Sequence, residues 1–204
     1  YIKLIKGLEK YPNVYILSDE IYSRILFDDN EHISLMSFPE IRDRVIVLDG
    51  WSKTYSMTGW RLGYGIFPKK IFDYAEKLAI NCHSCVTTAV QLAGVEALEG
   101  TQEYVLKMIE EFNLRRNFIT ENLNSITNIK CIKPGGAFYV FPEIKKSNMS
   151  SKQISDHLLE NMFLATVPGS AFGKNGEGFL RLSYASNMDN LKEAIKCLKN
   201  FMDE

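Results

Sequence analysis

Four side chains that could act together on one ligand follow two apolar segments of the sequence. Asp19 and Tyr22 end the run VYILSDEIY, and Lys53 and Arg61 come after VIVLDG, within SKTYSMTGWRLGYG. Short continuous apolar runs of this kind are typical of parallel strands covered on both faces. Because ligands bind outside the carboxyl ends of such strands, we expect all four side chains at one edge of a sheet.

An acid, a phenol, a lysine and an arginine together suit one cofactor, pyridoxal phosphate. A lysine amine can form a Schiff base with its aldehyde, and a carboxylate such as Asp19 can keep the pyridine nitrogen protonated. A phenol can donate a hydrogen bond to the ring oxygen, and an arginine can pair bidentately with the phosphate.

A fifth charged residue, Arg181, stands in the otherwise apolar segment FLRLSYA. An unpaired charge in a buried strand is costly, so the sequence predicts a partner for this guanidinium. Between a buried acidic residue and the carboxylate of a substrate, we favour the substrate carboxylate.

Composition limits the possible functions. The 204 residues are 46% hydrophobic and carry a net charge of −1, which predicts one or two domains with a substantial core. That balance argues against a general nucleic-acid or anionic-membrane surface, and no apolar run is long enough to span a membrane. The four cysteines, without secretory features, predict reduced thiols in a cytoplasmic protein.

The segment NCHSC, which holds Cys82 and Cys85, contains a C-x-x-C pattern. Structural zinc needs four ligands, and Cys131 and Cys197 stand alone in the sequence. We therefore favour plain thiols over a redox or metal site, and we predict no metal.

Periodicity predicts strands followed by helices in residues 1–100, a long amphipathic helix in 101–126 and a smaller α+β unit in 127–204. The chain opens with the periodicity of a helix already under way, which suggests a fragment. Strands are expected at Val14–Leu17, Val45–Leu48 and Leu62–Phe67, and helices at 68–80, 87–100, 151–162 and 188–202.

Five motifs occur in a recognisable order: SDEIY, SKTYSMTGWRLGYG, PGGAFY, PGSAFG and GFLRLSYA. On these motifs the chain resembles the C-terminal half of a class I/II aminotransferase of fold type I, similar to the aspartate aminotransferase group. The resemblance implies an α/β fold. Residues 1–100 would be the C-terminal part of a large mixed-sheet domain that binds pyridoxal phosphate, 101–126 an interdomain helix and 127–204 the small domain.

The resemblance also implies a role for each candidate residue. Lys53 would form the Schiff base and carry the proton, and Asp19, Tyr22 and Arg61 would bind the pyridine nitrogen, the ring oxygen and the phosphate. Arg181 would bind the substrate α-carboxylate. The family often has serine three positions before the lysine; here that position is Gly50, and Ser52 is a possible substitute.

The implied reaction is transfer of an amino group between an L-amino acid and a 2-oxo acid, in a homodimer that includes the N-terminal half missing here. Two alternatives stay open. A β-lyase could use the same fold and cofactor, and the chain could be a truncated, non-catalytic domain that does not retain cofactor.

Overall fold

The computed structural model describes residues 1–146 and 148–203. They form two compact units, Tyr1–Leu106 and a second that begins at Lys107. None of the helices described combines the length and the apolar character that crossing a bilayer requires.

The first unit contains a three-stranded sheet with the order β1-β2-β3. The strands are β1 (Ile16–Asp19), β2 (Val45–Gly50) and β3 (Gly63–Ile66). The helices are α1 (Ile2–Leu8), α2 (Trp51–Thr54), α3 (Lys69–His83) and α4 (Thr88–Glu99), with 3-10 turns at Leu35–Ser37, Arg42–Arg44 and Thr58–Trp60. Helix α5 (Glu103–Asn124) begins at the end of this unit and continues in the second.

The two apolar runs form neighbouring parallel strands, as the sequence predicts. Asp19 in β1 lies opposite Leu48 in β2, and β3 pairs antiparallel with β2. The sequence predicts that both faces of these strands are covered, but this holds only in part. Val45 and Val47 in β2 are buried, whereas Leu17 in β1 is 60% exposed. Within this chain, therefore, one face of β1 remains open.

A compact apolar cluster packs against the sheet. From α1 it contains Ile5, whereas Leu4 of the same helix and the preceding Tyr1 are exposed. The buried guanidinium of Arg44 closes the cluster by donating to the carbonyls of Leu8 at 3.0 Å and Tyr11 at 2.6 Å. The cluster consists of Ile5, Leu35, Ile41, Val45 and Val47.

The loop after β1 is held by the buried carboxylate of Glu20. This carboxylate accepts hydrogen bonds from the Ser18 hydroxyl at 3.0 Å and the Ser34 hydroxyl at 2.9 Å, and it contacts His32 Nε2 at 2.8 Å. Burial alone would raise the pKa of Glu20. The bonds from His32, Ser34, Ser18 and the Leu35 N–H outweigh that effect and lower the pKa below its usual value.

The second unit packs helices on short antiparallel strands. The predicted helix from Ser151 to Met162 is confirmed as α6, and Ser150 caps it by accepting a bond from the Gln153 N–H. The remaining elements are α7 (Met188–Asp203), β4 (Ile129–Lys130), β5 (Tyr139–Val140), β6 (Glu143–Ile144), β7 (Val167–Pro168) and β8 (Leu180–Ser183). β4 pairs with β6, and the other sheet has the order β5-β8-β7.

Two buried side chains fix the PGGAFY loop in this unit. Arg116, on α5, is fully buried and donates to the Pro134 carbonyl at 2.9 Å and to Asn113 Oδ1 at 2.7 Å. Tyr184 donates its hydroxyl to the Ala137 carbonyl at 2.9 Å, and burial raises the pKa of this phenol well above its usual value. The loop that leads into β5 is therefore rigidly placed.

Replacing Glu20 by glutamine should destabilise the first unit by about 2–4 kcal/mol at pH 7, because the variant breaks a buried, charge-assisted network. Since the folded-state pKa is lowered, this contribution is fully present above the unfolded pKa of about 4.3 and is lost as the pH falls through the folded value. Urea unfolding at pH 7 and at pH 3 measures the difference, with the exposed Glu31→Gln as control. An equal difference at both pH values would contradict the ionised network.

Candidate active site

The carboxyl ends of β1 and β2 place the first candidate residues at one edge of the sheet. Asp19 is the last residue of β1, and the N–H of the next residue donates to the Leu48 carbonyl of β2 at 2.8 Å. β2 continues to Gly50 and leads directly into α2, the single turn that carries Ser52 and Lys53. Tyr22 lies three residues beyond Asp19 in the loop after β1.

Lys53 and Arg61 are brought to the same end of the sheet by a close approach of two glycines. Gly50 lies opposite Gly63 in the antiparallel pair, and the Trp51 N–H donates to the Leu62 carbonyl at 3.2 Å. Lys53 follows this pair by three residues and Arg61 precedes it by two. The structure therefore anchors both residues at the end of the sheet where Asp19 lies.

A side chain cannot be added at Gly50 without moving the backbone. A Cβ there would lie 2.8 Å from Gly63 Cα and 2.8 Å from the Leu62 carbonyl oxygen. The serine that the family often places at this position would therefore clash in this chain. Ser52, the substitute considered from the sequence, is half-buried on α2 and directly precedes Lys53.

Arg61 is presented to the outside of the unit by an unusual backbone conformation. Its φ is 55°, in the left-handed region that non-glycine residues rarely adopt. The exposed side chain donates to the Thr58 carbonyl at 2.9 Å, and among residues 1–146 and 148–203 it forms no ion pair. Most of the donors of this guanidinium are thus available to an anion.

The carboxylate of Asp19 is likewise available to bind a cation. The exposed carboxylate accepts one bond, from the Ile21 N–H at 3.3 Å, and pairs with no cation in the described part of the chain. Tyr22 and Lys53 are half-buried. An open carboxylate and an open guanidinium therefore flank the turn that bears the lysine.

Arg181 lies in the second unit, in the central strand β8, opposite Val167 of β7. Its guanidinium carbon is 4.7 Å from the ring centroid of Tyr139 and 4.9 Å from that of Phe172. These rings come from PGGAFY and PGSAFG, so three of the five motifs meet at this arginine. Within the described residues it has no carboxylate partner, and the buried acid considered from the sequence is not there.

Asp49, two residues before the lysine turn, is not among the candidates that the sequence motifs indicate. Its Oδ2 accepts from the Ser23 hydroxyl at 3.2 Å and the Tyr64 hydroxyl at 3.4 Å, and its Oδ1 accepts from the Gly50 N–H at 2.6 Å. Burial and the Asp49 charge raise the pKa of Tyr64. A carboxylate ending the apolar run VIVLDG is the signal that could have identified it.

The cysteines differ in environment. Cys82 and Cys85 are exposed at the end of α3 and beyond it, whereas burial raises the pKa of Cys131 to about 11. Among the residues described, no three His, Cys, Asp or Glu side chains are grouped to hold a metal ion.

Comparison with known proteins defines the class to which this site belongs. Residues 2–198 match the family model described as aminotransferase class I and II. The chain therefore belongs to the class I and II aminotransferase family, as its motifs indicated.

Individual relatives agree with this assignment. The chain is 40% identical over 198 residues to a putative aminotransferase of Bacillus subtilis, covering 97% of this chain and 51% of that protein. It is 37% identical to an aspartate aminotransferase of Pyrococcus horikoshii, covering 98% of this chain and 51% of that protein.

Solved structures confirm the fold type I assignment. The crystal structure of an aromatic aminotransferase from Pyrococcus horikoshii superposes with a TM-score of 0.92 at 34% identity, covering 99% of this chain and 54% of that one. An aspartate aminotransferase from Rhizobium meliloti gives 0.92 at 32% identity, covering 100% and 53% of the two chains. The chain spans about half the length of the relatives it matches.

Gly50→Ser tests the close approach of β2 and β3. The added side chain must push β3 away, so we expect the variant to lose about 1–3 kcal/mol of unfolding free energy. We also expect faster hydrogen exchange at the Trp51 N–H, which donates across the pair. Gly7→Ser, where a Cβ meets nothing within 4 Å, is the matched control. Unchanged exchange at Trp51 would show that the added side chain fits without separating β2 from β3, and would contradict the close approach.

Proposed function

We propose that this chain carries the lysine-bearing part of a pyridoxal-phosphate-dependent aminotransferase site. The reaction is transfer of an amino group between an L-amino acid and a 2-oxo acid. One observation carries the proposal: the Gly50–Gly63 pair and the parallel pairing of β1 with β2 gather Lys53, Arg61 and Asp19 at one end of the sheet. The family assignment supports it.

The chemistry of the donor groups fits the cofactor. A carboxylate without a cationic partner suits a protonated pyridine nitrogen, and a guanidinium with open donors suits a phosphate. When bound, pyridoxal phosphate supplies an aldehyde that a primary amine can capture and a ring that withdraws electrons from the substrate Cα. Asp19 and Arg61 would hold its two ends.

The remaining residues orient the ligand and move protons. Lys53 would hold the cofactor covalently and then, as a free amine, carry a proton to and from the substrate Cα. Tyr22 would donate to the ring oxygen, and Ser52 would contribute a hydroxyl to the phosphate. Because Ser52 and Lys53 share one helical turn, both functions depend on the placement of α2.

Arg181 would bind the substrate α-carboxylate. Its guanidinium is held between the rings of Tyr139 and Phe172. A planar fork fixed in this way can receive both oxygens of a carboxylate with little further loss of side-chain freedom. Because every amino acid has an α-carboxylate, this contact would not discriminate between substrates with different side chains.

We extend the proposal to the partners. The relatives are about twice as long as this chain, and α3 has no buried residue. Large apolar side chains on α3 and α4 stay exposed, among them Phe72, Leu78 and Leu92. We propose that polypeptide equivalent to the N-terminal half of the relatives covers this surface, and that the complete enzyme is a cytoplasmic homodimer.

Lys53→Ala tests the central assignment. Incubating the chain with pyridoxal phosphate and then borohydride should fix the cofactor on the peptide that contains Lys53, as mass spectrometry of the digest would show. The alanine variant should lose that label, whereas the exposed Lys77→Ala variant should keep it. In an active assembly the loss of the amine should lower kcat by at least about 10²–10⁴-fold. Label spread evenly over the surface lysines would contradict the proposal and favour a chain that does not retain cofactor.

Arg181→Lys tests carboxylate recognition. A lysine keeps the charge but loses the planar fork, so we expect KM for an L-amino acid to rise about 10–100-fold, equivalent to one charge-assisted pair. KM for the matching amine without a carboxylate should not change. Arg115→Lys, at an arginine paired with Glu111 on α5, serves as control. A parallel rise for both substrates would rule out the assigned contact.

A further inference from the structure

A second polar assembly joins three segments of the first unit beneath the lysine turn. Arg24 Nη1 donates to the Tyr55 hydroxyl oxygen at 2.6 Å, and Arg24 Nη2 donates to Gln102 Oε1 at 3.1 Å. The Tyr55 hydroxyl in turn donates to the same Gln102 oxygen at 3.3 Å. The three side chains therefore form a closed triangle of hydrogen bonds, which we call the Arg24 triangle.

The orientation of the Gln102 amide is fixed from the other side. Its Nε2 donates to the carbonyls of Ala97 at 3.0 Å and Gly100 at 2.9 Å, at the end of α4. With both donors used there, the amide oxygen must face Arg24 and Tyr55. The triangle is thus anchored on the α4–α5 junction.

The triangle connects the two segments that bear the cofactor residues. Arg24 follows Tyr22 by two residues in the loop after β1, and Tyr55 follows Lys53 by two residues at the end of α2. A second connection runs in parallel, from the Ser23 hydroxyl to Asp49 at the end of β2. The loop of Tyr22 is therefore joined by Arg24 to the end of the lysine turn and by Ser23 to the strand that precedes this turn.

Packing alone does not immobilise the lysine turn. α2 is only four residues long, and an isolated turn of that length is not stable by itself. A cavity of about 230 Å³ lies against it, lined among others by Arg24, Trp51, Thr54 and Tyr55. Thr54 is buried and the Trp51 indole donates to the Gly94 carbonyl at 3.0 Å. Space remains beside Tyr55, however, so directional hydrogen bonds add to packing in setting the position of the turn.

We propose that Arg24, Tyr55 and Gln102 are positioning residues that fix the Lys53 amine relative to Tyr22. The inference rests on the proposed function for the roles of Lys53 and Tyr22. An arginine suits this task because its planar group reaches two acceptors at once, and its guanidinium carbon also lies 5.6 Å from the centre of the Tyr55 ring. A lysine at position 24 would keep the charge but has a single nitrogen, so it cannot bind the two acceptors through separate, rigidly oriented N–H groups.

Tyr55→Phe is the sharpest test, because it removes one oxygen and leaves the ring in place. The readout is competitive acetylation of the cofactor-free chain across pH 6–10, which reports the reactivity of each lysine by mass spectrometry. We expect the Lys53 profile to change about two- to tenfold while the exposed lysines stay as in the parent chain. Tyr104→Phe, at an exposed tyrosine outside the triangle, should leave Lys53 unchanged.

Arg24→Gln and the double variant test whether the triangle acts as one unit. Arg24→Gln should change the Lys53 profile in the same direction as Tyr55→Phe, Arg24→Lys should change it less, and the double variant should add little further. A parental Lys53 profile in both single variants would overturn the proposal, as would fully additive effects. Should Arg24→Gln not fold, Tyr55→Phe decides alone.

Borohydride fixation of pyridoxal phosphate on the same variants separates this inference from the proposed function. In Tyr55→Phe we expect the fraction fixed on Lys53 to fall about two- to tenfold, with the unfolding midpoint unchanged. If the parent chain itself fixes nothing on Lys53, the proposed function fails, while the acetylation profile still supports or overturns the positioning role.

Discussion

The close approach of two backbones at Gly50 and Gly63 is the constraint on which the candidate site depends. Neither residue has a side chain, and a Cβ at Gly50 would come within 2.8 Å of backbone atoms across the pair. This contact ends β2, precedes the turn of Lys53 and places Arg61 at the same end of the sheet. Parallel pairing with β1 then adds Asp19. The lysine, the arginine and the acid are thus located by backbone geometry, which side-chain motion cannot easily disturb.

In the second unit, a charged residue, Arg181, lies in the otherwise apolar strand β8. Among the residues that the structure describes, Arg181 has aromatic rings rather than an acid beside it, so its charge is stabilised without being neutralised. The segment that leads to the Tyr139 ring is itself fixed, because Arg116 and Tyr184 donate to the carbonyls of Pro134 and Ala137 in PGGAFY. A guanidinium kept available in this way can discriminate a carboxylate, because it need not break an internal ion pair first.

Hydrogen bonds to loop segments recur around the lysine turn. Glu20 ties the segment after β1 to the Ser34 turn, Asp49 ties it to the end of β2, and the Arg24 triangle ties it to the α4–α5 junction. In each of these three networks, one charged side chain forms hydrogen bonds with several polar groups. Loops carry the functional residues, and they lack the regular backbone bonding of helices and strands. Side-chain bonds of this kind supply the missing rigidity.

The sequence by itself determined the residue types, their spacing, the parallel pair of strands, the helix Ser151–Met162 and the family. These features are local: apolar periodicity and motif order are legible along the chain. Only the tertiary structure showed that a side chain at position 50 would clash with β3, and that aromatic rings surround Arg181. It alone also showed that Arg24 contacts Tyr55 and Gln102, which are 31 and 78 residues away in sequence. No local pattern encodes such contacts, because they arise when strand pairing and helix packing bring distant segments together.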